Sequence, residues 1–244
     1  SACSLVYFSG RLLQNPARWK LDPLLLKVDF HTHTCYSKDS LTKIEDLITA
    51  ARRRGLDRVV VTDHNTLLGA LAAYAAAPDL IIPGEEVQTT EGEFLAAFVT
   101  QEVPRGLEPM EALKKLKDQG AFISVSHPFD AYRSGWSKPT LERLAGEVDA
   151  IETFNARVIW HSNNQTAAQY AAAHGLAGTA GSDGHHPSEI GRAYSMLPEF
   201  EDAASLRLAI RSAQVGGRVS LPMVHFYSVW AKGMKKRSRI MVNE

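Results

Sequence analysis

Apolar residues fall along this chain in two alternating rhythms. Short β-branched runs, such as Arg58-Val59-Val60-Val61-Thr62 and Leu80-Ile81-Ile82, predict buried strands. Between them lie segments whose apolar positions recur three and four apart. Ile44, Leu47, Ile48 and Ala51 predict a helix over 42–54, stopped at Gly55. The same reasoning places strands at 27–33, 58–62, 80–82, 94–100, 121–126, 150–154 and 176–180. It places helices at 42–54, 67–77, 108–119, 162–174 and 202–214. No repeat or low-complexity linker interrupts the alternation. Strand–helix alternation of this kind predicts an α/β fold with mostly parallel strands and helices outside. A closed or distorted barrel suits the length and the polar residues at so many strand ends. The expected organisation is an N-terminal strap over 1–26, a barrel domain over 27–220 and a basic C-terminal tail over 221–244.

Composition narrows the function classes. The chain has 244 residues, 45% of them hydrophobic, which is enough for one sizeable core. The formal net charge is zero, so the overall balance favours neither nucleic acid nor an anionic membrane. Two cysteines, Cys3 and Cys35, make no disulfide framework. No apolar run approaches the roughly 18 residues of a membrane helix, and the opening residues lack the pattern of a signal peptide. A cytoplasmic location without membrane contact is the expectation.

Chemistry concentrates where strands end. The first strand runs into His31-Thr32-His33, two imidazoles on one face because strand side chains alternate. Asp63-His64, Glu85-Glu86, Ser126-His127-Pro128 and Asp183-Gly184-His185 follow later strands. Active sites of barrels form at the carboxyl ends of strands. With Asp39, the set His31, His33, Asp39, His64, Glu86, His127, Asp183 and His185 exceeds the four ligands of one tetrahedral ion. Two or three ions sharing a carboxylate would use it, and desolvating so many such groups without metal is costly. His161, His174 and His225 are read as capping, surface or packed residues.

These motifs, with Ser37-Lys38-Asp39, Thr62-Asp63-His64-Asn65, Pro83-Gly84-Glu85-Glu86-Val87, Ile151-Glu152-Thr153-Phe154-Asn155 and Gly181-Ser182-Asp183, resemble in kind and order the PHP (polymerase and histidinol phosphatase) family. The resemblance spans about residues 27–192. It implies a distorted (β/α)7 barrel, a cluster of two or three divalent ions (Mn, Zn or Fe) and phosphoester hydrolysis. By the same resemblance His31, His33, Glu86 and Asp183 would hold one ion, and Asp39, His64 and His185 another. Glu86 and His127 would contribute to the ion between. Many members carry a histidine on the strand after the glutamate motif; here that strand, 92–98, has none. Two firmly held ions and a weaker third position are therefore expected. Of the adjacent glutamates, the Gly-x-Glu spacing selects Glu86 as the bridge.

The leading functional expectation is a phosphatase or phosphodiesterase acting on a small phosphorylated metabolite or nucleotide, with a metal-bridging hydroxide as nucleophile. A metal-dependent amide or lactone hydrolase and a non-catalytic binding domain are the alternatives. Asp63 would orient a ligand imidazole or cap the following helix. Arg157 would grip the substrate phosphate, with Asn155 beside it and Arg133 as a rival clamp. The basic tail, Lys232 to Arg239, is expected to be solvated or to dock on the barrel, and a nucleic-acid polymer to be an unlikely partner.

Overall fold

The computed structural model describes residues 25–133 and 135–242. The strap expected over 1–26 lies outside them, except Leu25 and Leu26, which begin the first strand. Strands β1 (Leu25–Thr32), β2 (Arg58–Val61) and β3 (Ile81–Gln88) alternate with helices α1 (Ile44–Arg53) and α2 (Leu68–Ala76). Then come β4 (Glu93–Ala97), α3 (Pro109–Asp118), β5 (Phe122–Val125), α4 (Lys138–Leu144), β6 (Ala150–Asn155), α5 (His161–His174) and β7 (Ala177–Gly181). Last are β8 (Ala193–Pro198), α6 (Ala203–Ala209), β9 (Gln214–Gly217) and α7 (Met223–Val242).

Local chemistry explains the helix ends. α1 carries Glu45 and Asp46 in its first turn and Arg52 and Arg53 in its last, complementing the helix dipole. Gly55 follows with φ of 63°, the left-handed conformation that glycine accepts most readily. Ser137 caps α4 by accepting from the Thr140 amide.

The strands form one sheet in the order β7-β6-β5-β4-β3-β2-β1-β8-β9. β1, β2 and β3 are parallel, as are β5, β6 and β7. β4 runs antiparallel to both neighbours. Only residues 89–92 separate β3 from β4, too few for the crossover that a parallel pair needs. The sheet nearly closes into a barrel where the residues after β7 return to β1. There the Asp183 amide donates to the His31 carbonyl at 2.7 Å, and the His33 amide to the Gly184 carbonyl at 3.0 Å. β8 and β9 extend the sheet as an antiparallel hairpin beside β1.

Strand alternation sorts the core into two layers. Val59, Val61, Ile81 and Ile123 pack outward with Leu47, Leu113 and Leu116 of the helices. Val28, Phe30, Val60, Ile82 and Phe122 face inward, joined by Leu197 and by Leu206 of α6. The carboxyl ends of the strands carry the polar residues, and there the interior becomes the site.

Several elements differ from expectation. The third strand does not stop at Ile82 but continues to Gln88, so Glu85 and Glu86 lie within it. The helix expected over 202–214 divides into α6, a 3-10 turn at Ile210–Ser212 and β9. α4, β8, β9 and α7 carry no clear apolar periodicity. In α7 the large apolar side chains Met223, Phe226 and Trp230 are exposed. Among the described residues no helix is long and apolar enough to cross a membrane.

Candidate metal centre

His31 and His33 enter the site from the end of β1, each held by a carboxylate behind it. His31 Nδ1 donates to Glu152 Oε1 at 3.1 Å. His33 Nδ1 lies 3.1 Å from Ser37 Oγ, whose hydroxyl donates to Asp63 Oδ1 at 2.6 Å. That hydroxyl's proton is committed to Asp63, so His33 Nδ1 must be the donor in its contact with Ser37. The two Nε2 atoms then face each other 3.0 Å apart. The carboxylates around His31 outweigh its burial and raise it well above its ordinary value, so that its Nε2 holds a proton where a cation is not bound. At that distance the two nitrogens need a positive centre between them, a proton or a metal cation.

Two carboxylates close on the same point. Glu86 Oε2 lies 3.3 Å from His31 Nε2 and 3.4 Å from His33 Nε2, and Asp183 Oδ1 lies 3.5 Å from His33 Nε2. Glu86 Oε2 is also 2.8 Å from His64 Nδ1, yet both atoms are buried without a hydrogen-bond partner. At the other end Asp39 Oδ1 faces His185 Nε2 at 3.2 Å and His64 Nε2 at 3.5 Å, and it too lacks a hydrogen bond. His185 Nδ1 donates to the Asp183 carbonyl at 2.8 Å, which turns Nε2 toward Asp39.

Three groups gather ligand atoms within 4.8 Å: His33, His64 and His185; His31, His33 and Glu86; and His64, Glu86 and Glu93. Nearly every member is buried. Ligand atoms this close, with Asp39 Oδ1, His64 Nδ1 and Glu86 Oε2 buried and without a hydrogen bond, are what divalent cations would organise, so the residues fit the implied metals.

The electrostatics describe the same deficit. Burial would raise the Glu86 carboxyl, but the charges of His31 and His64 hold it well below the usual range. Burial likewise opposes ionisation of Asp183, and Arg133 and His31 outweigh it. Burial and then the neighbouring His185 and His64 push His33 well below its ordinary value, favouring the neutral ligand form.

All eight expected metal ligands therefore come to one place. Asp63 lies behind His33 through Ser37 and also accepts from the Thr34 amide at 2.7 Å. Glu85 and Glu86 point to opposite sides of β3, and Glu85 Oε2 accepts from the Val103 amide at 2.9 Å.

The expected substrate residues are placed differently. Asn155 is buried, and its amide donates to Asp183 Oδ2 at 3.0 Å and Glu152 Oε2 at 3.1 Å, so it steadies ligands instead of lining a pocket. Arg157 is 3% exposed and turned inward. It donates to Ser228 Oγ at 2.9 Å and the Val224 carbonyl at 3.1 Å, and so anchors α7. That placement does not match the phosphate clamp expected of Arg157, because its terminal nitrogens are buried against Ser228, Val224 and Glu189. Arg133 remains at the rim, bonded to Asp183 Oδ2 and partly exposed.

Two residues have no role assigned from the sequence: Glu152, which is named there only within a motif, and Glu93. Glu152 sits behind His31, and its other oxygen accepts from the His127 amide at 2.9 Å. Glu93, on the strand noted for lacking histidine, puts Oε2 3.4 Å from His127 Nε2. The available signal was a carboxylate on β4 at the position facing the His127 motif. Backbone strain also collects here, as Asp183 has φ of 52° and His127 of 21°.

A barrel that converges imidazoles and carboxylates on buried, unbonded positions defines the class of metal-centre α/β barrels. A family profile described as PHP domain matches residues 29–187, and one described as PHP-associated matches 161–215. The chain belongs to the PHP domain family. An uncharacterized protein of Methanocaldococcus jannaschii is 33% identical over 179 residues, covering 72% of this chain and 72% of the relative. A two-domain protein of Bacteroides vulgatus, described as containing a predicted PHP-like metal-dependent phosphoesterase, shares the fold at TM-score 0.68 and 23% identity. The match covers 80% of this chain and 65% of that one, so this chain spans somewhat less than two thirds of that protein.

The lesion-specific endonuclease Q of Pyrococcus furiosus also shares the fold, at TM-score 0.53 and 17% identity over 79% of this chain and 58% of that one. A further endonuclease Q structure holds a 27-mer duplex with an abasic lesion at its active site. This corrects the expectation of a small-molecule substrate with nucleic acid an unlikely partner. A protein that shares this fold holds a DNA duplex, so a near-zero net charge is no argument against nucleic acid.

Glu85 gives a test independent of metal. Burial, with a smaller contribution from Glu102, raises its carboxyl to about 8 despite the Val103 hydrogen bond. The unfolded chain releases this proton near pH 4.5, the folded one near 8, so stability falls as pH rises through that window. Glu85→Gln is expected to leave the melting temperature nearly unchanged at pH 5 and to raise it at pH 8.5. Equal shifts at both values in thermal unfolding of the metal-loaded protein would show that Glu85 is ionised throughout.

Proposed function

We propose that this protein hydrolyses phosphoesters in a metal-dependent reaction. The observation that carries the proposal is the convergence of His31, His33, Glu86 and Asp183 beside Asp39, His64 and His185, with Glu86 central to both groups. Divalent ions held there supply Lewis acidity, acidifying water and neutralising charge on a phosphoryl group. Glu152 and the Asp63–Ser37 pair fix the rings of His31 and His33 so that Nε2 faces inward. Asn155 and Arg133 hold Asp183 Oδ2, leaving Oδ1 for coordination. Arg133, the partly exposed cation at the rim, binds the substrate phosphate by its planar fork.

Three ions are proposed rather than two. Glu93 lies where the missing histidine would be needed, beside His127 and Glu86. It makes the middle position richer in oxygen and suited to a harder ion such as Mn.

The test is phosphate release and strand cleavage by the purified protein over phosphomonoesters, nucleotides and DNA with and without abasic lesions. Activity should vanish with a strong chelator and return with Mn or Zn. Glu93→Gln should contain one ion fewer by elemental analysis. Turnover in verified metal-free protein, or none on any phosphoester when metal-loaded, would end the proposal.

A further inference from the structure

The sidedness of α7 is reversed from that of an ordinary surface helix. Met223, Phe226, Trp230 and Met234 lie on its solvent side, whereas Ser228, Ala231, Lys232 and Lys235 face the barrel. The helix is tied at both ends of that face. Arg157 bonds Ser228 and the Val224 carbonyl, and Lys235 Nζ donates to the Cys35 and Ser37 carbonyls of the loop that follows β1. Between those ties Lys232 Nζ lies 3.4 Å from Asp39 Oδ2. α7 lies beyond both stretches matched by the family profiles, which end at residues 187 and 215.

Lys232 repeats at one end of the centre what Arg133 does at the other. Arg133 pairs with Asp183 Oδ2 and leaves Oδ1 facing the imidazoles. Lys232 pairs with Asp39 Oδ2 and leaves the unbonded Oδ1 facing His64 and His185. Its ammonium therefore stands outside the ligand cluster, not within it. The side chain is 51% exposed, so its ammonium keeps an open side from which it can meet a ligand while remaining beside Asp39.

We propose that Lys232, carried on α7, forms a second anion subsite that receives a phosphate neighbouring the one held at the metals and Arg133. The proposal rests on the phosphoester reading and adds that the preferred substrate carries two phosphates in sequence. Such a pair occurs in a nucleotide polyphosphate and in a nucleic-acid strand. A lysine suits the role as a mobile point charge where no fixed two-pronged geometry is imposed.

The experiment is calorimetric titration of the metal-loaded full chain with three ligands. Inorganic phosphate fills one subsite; adenosine 5′-O-(2-thiodiphosphate) and a 5′-phosphorylated dithymidine with a phosphorothioate linkage can fill two. Lys232→Met should bind inorganic phosphate within twofold of the wild type. It should lose about tenfold in affinity for at least one two-phosphate ligand, and Lys232→Arg should recover most of that loss. Loss confined to the thiodiphosphate assigns the subsite to a nucleotide, and loss confined to the dinucleotide assigns it to a strand. Unchanged affinity for both overturns the proposal. So does an equal loss for inorganic phosphate, or a fall in metal content, which would make Lys232 only a support for Asp39. Because binding is read without turnover, failure of the subsite is distinguishable from failure of the phosphoesterase reading.

Discussion

Glu86→Gln is expected to lose metal and to lower phosphoester turnover by roughly a thousandfold or more. Glu86 is the residue on which both ends of the centre depend. Its Oε2 lies within 3.4 Å of ring nitrogens of His31, His33 and His64, while Oε1 lies 3.2 Å from His127 Nε2. Glutamine keeps the shape but removes the charge and presents an amide nitrogen that cannot ligate. Elemental analysis and turnover on one sample separate lost metal from lost chemistry. Glu85→Gln serves as the matched control, because its side chain points to Val103. Full metal content and full turnover in Glu86→Gln would remove the glutamate from the centre.

Gly181→Val is expected to damage fold and site together. A Cβ at residue 181 would stand 2.2 Å from the Cβ of His31, 2.7 Å from Glu152 Oε1 and 3.1 Å from the His31 amide nitrogen. Two of these atoms belong to the His31 backbone and Cβ, and Glu152 Oε1, a side-chain end, is tied to His31 Nδ1, so β7 must move away from β1. Overpacking of that kind costs about 1–3 kcal/mol or more. In a protein of this size that lowers the melting temperature by about 2–12 °C, and metal content should fall with it. Gly175→Val is the comparison: φ there is 65°, but the space for a Cβ is open. Its effect should be confined to stability. Equal metal content in both variants would show that the approach of β7 to His31 is not what shapes the centre.

Most of the ligands were legible in the sequence because they follow short buried runs that form strands. A strand end fixes both depth and direction, so His31, His33 and Asp183 could be placed without coordinates, whereas Glu86, inside β3, was picked out by the Gly-x-Glu spacing of the family resemblance. Glu93 was less visible, since it lies at the start of β4 and enters the site only because β4 runs antiparallel. Arg157 misled for a related reason. Its distance from β6 was right, but two residues of extended spacing do not tell inward from outward once Asn155 bonds back to Glu152 and Asp183. α7 was hidden because its barrel-facing positions are Ser228, Lys232 and Lys235, so no apolar stripe announces it. The division of 202–214 into α6 and β9 turned on pairing with β8, a long-range contact that local periodicity does not carry.

The return of residues 183 and 184 to β1 has a dynamic consequence. The backbone bonds that close the barrel, Asp183 to His31 and Gly184 to His33, are made by the same residues that supply ligands or flank them. Any cation shared by His31, His33 and Asp183 therefore spans the junction, stapling its two sides from within. Without ions, His31, His33 and Asp183 lose the partner they would share, and the joint is held by a few amides. Hydrogen exchange should then be fastest at residues 31–33 and 183–185 and slow sharply on metal loading. The barrel would thus behave as a clasp, with its hinge in the sheet and its latch in the ions.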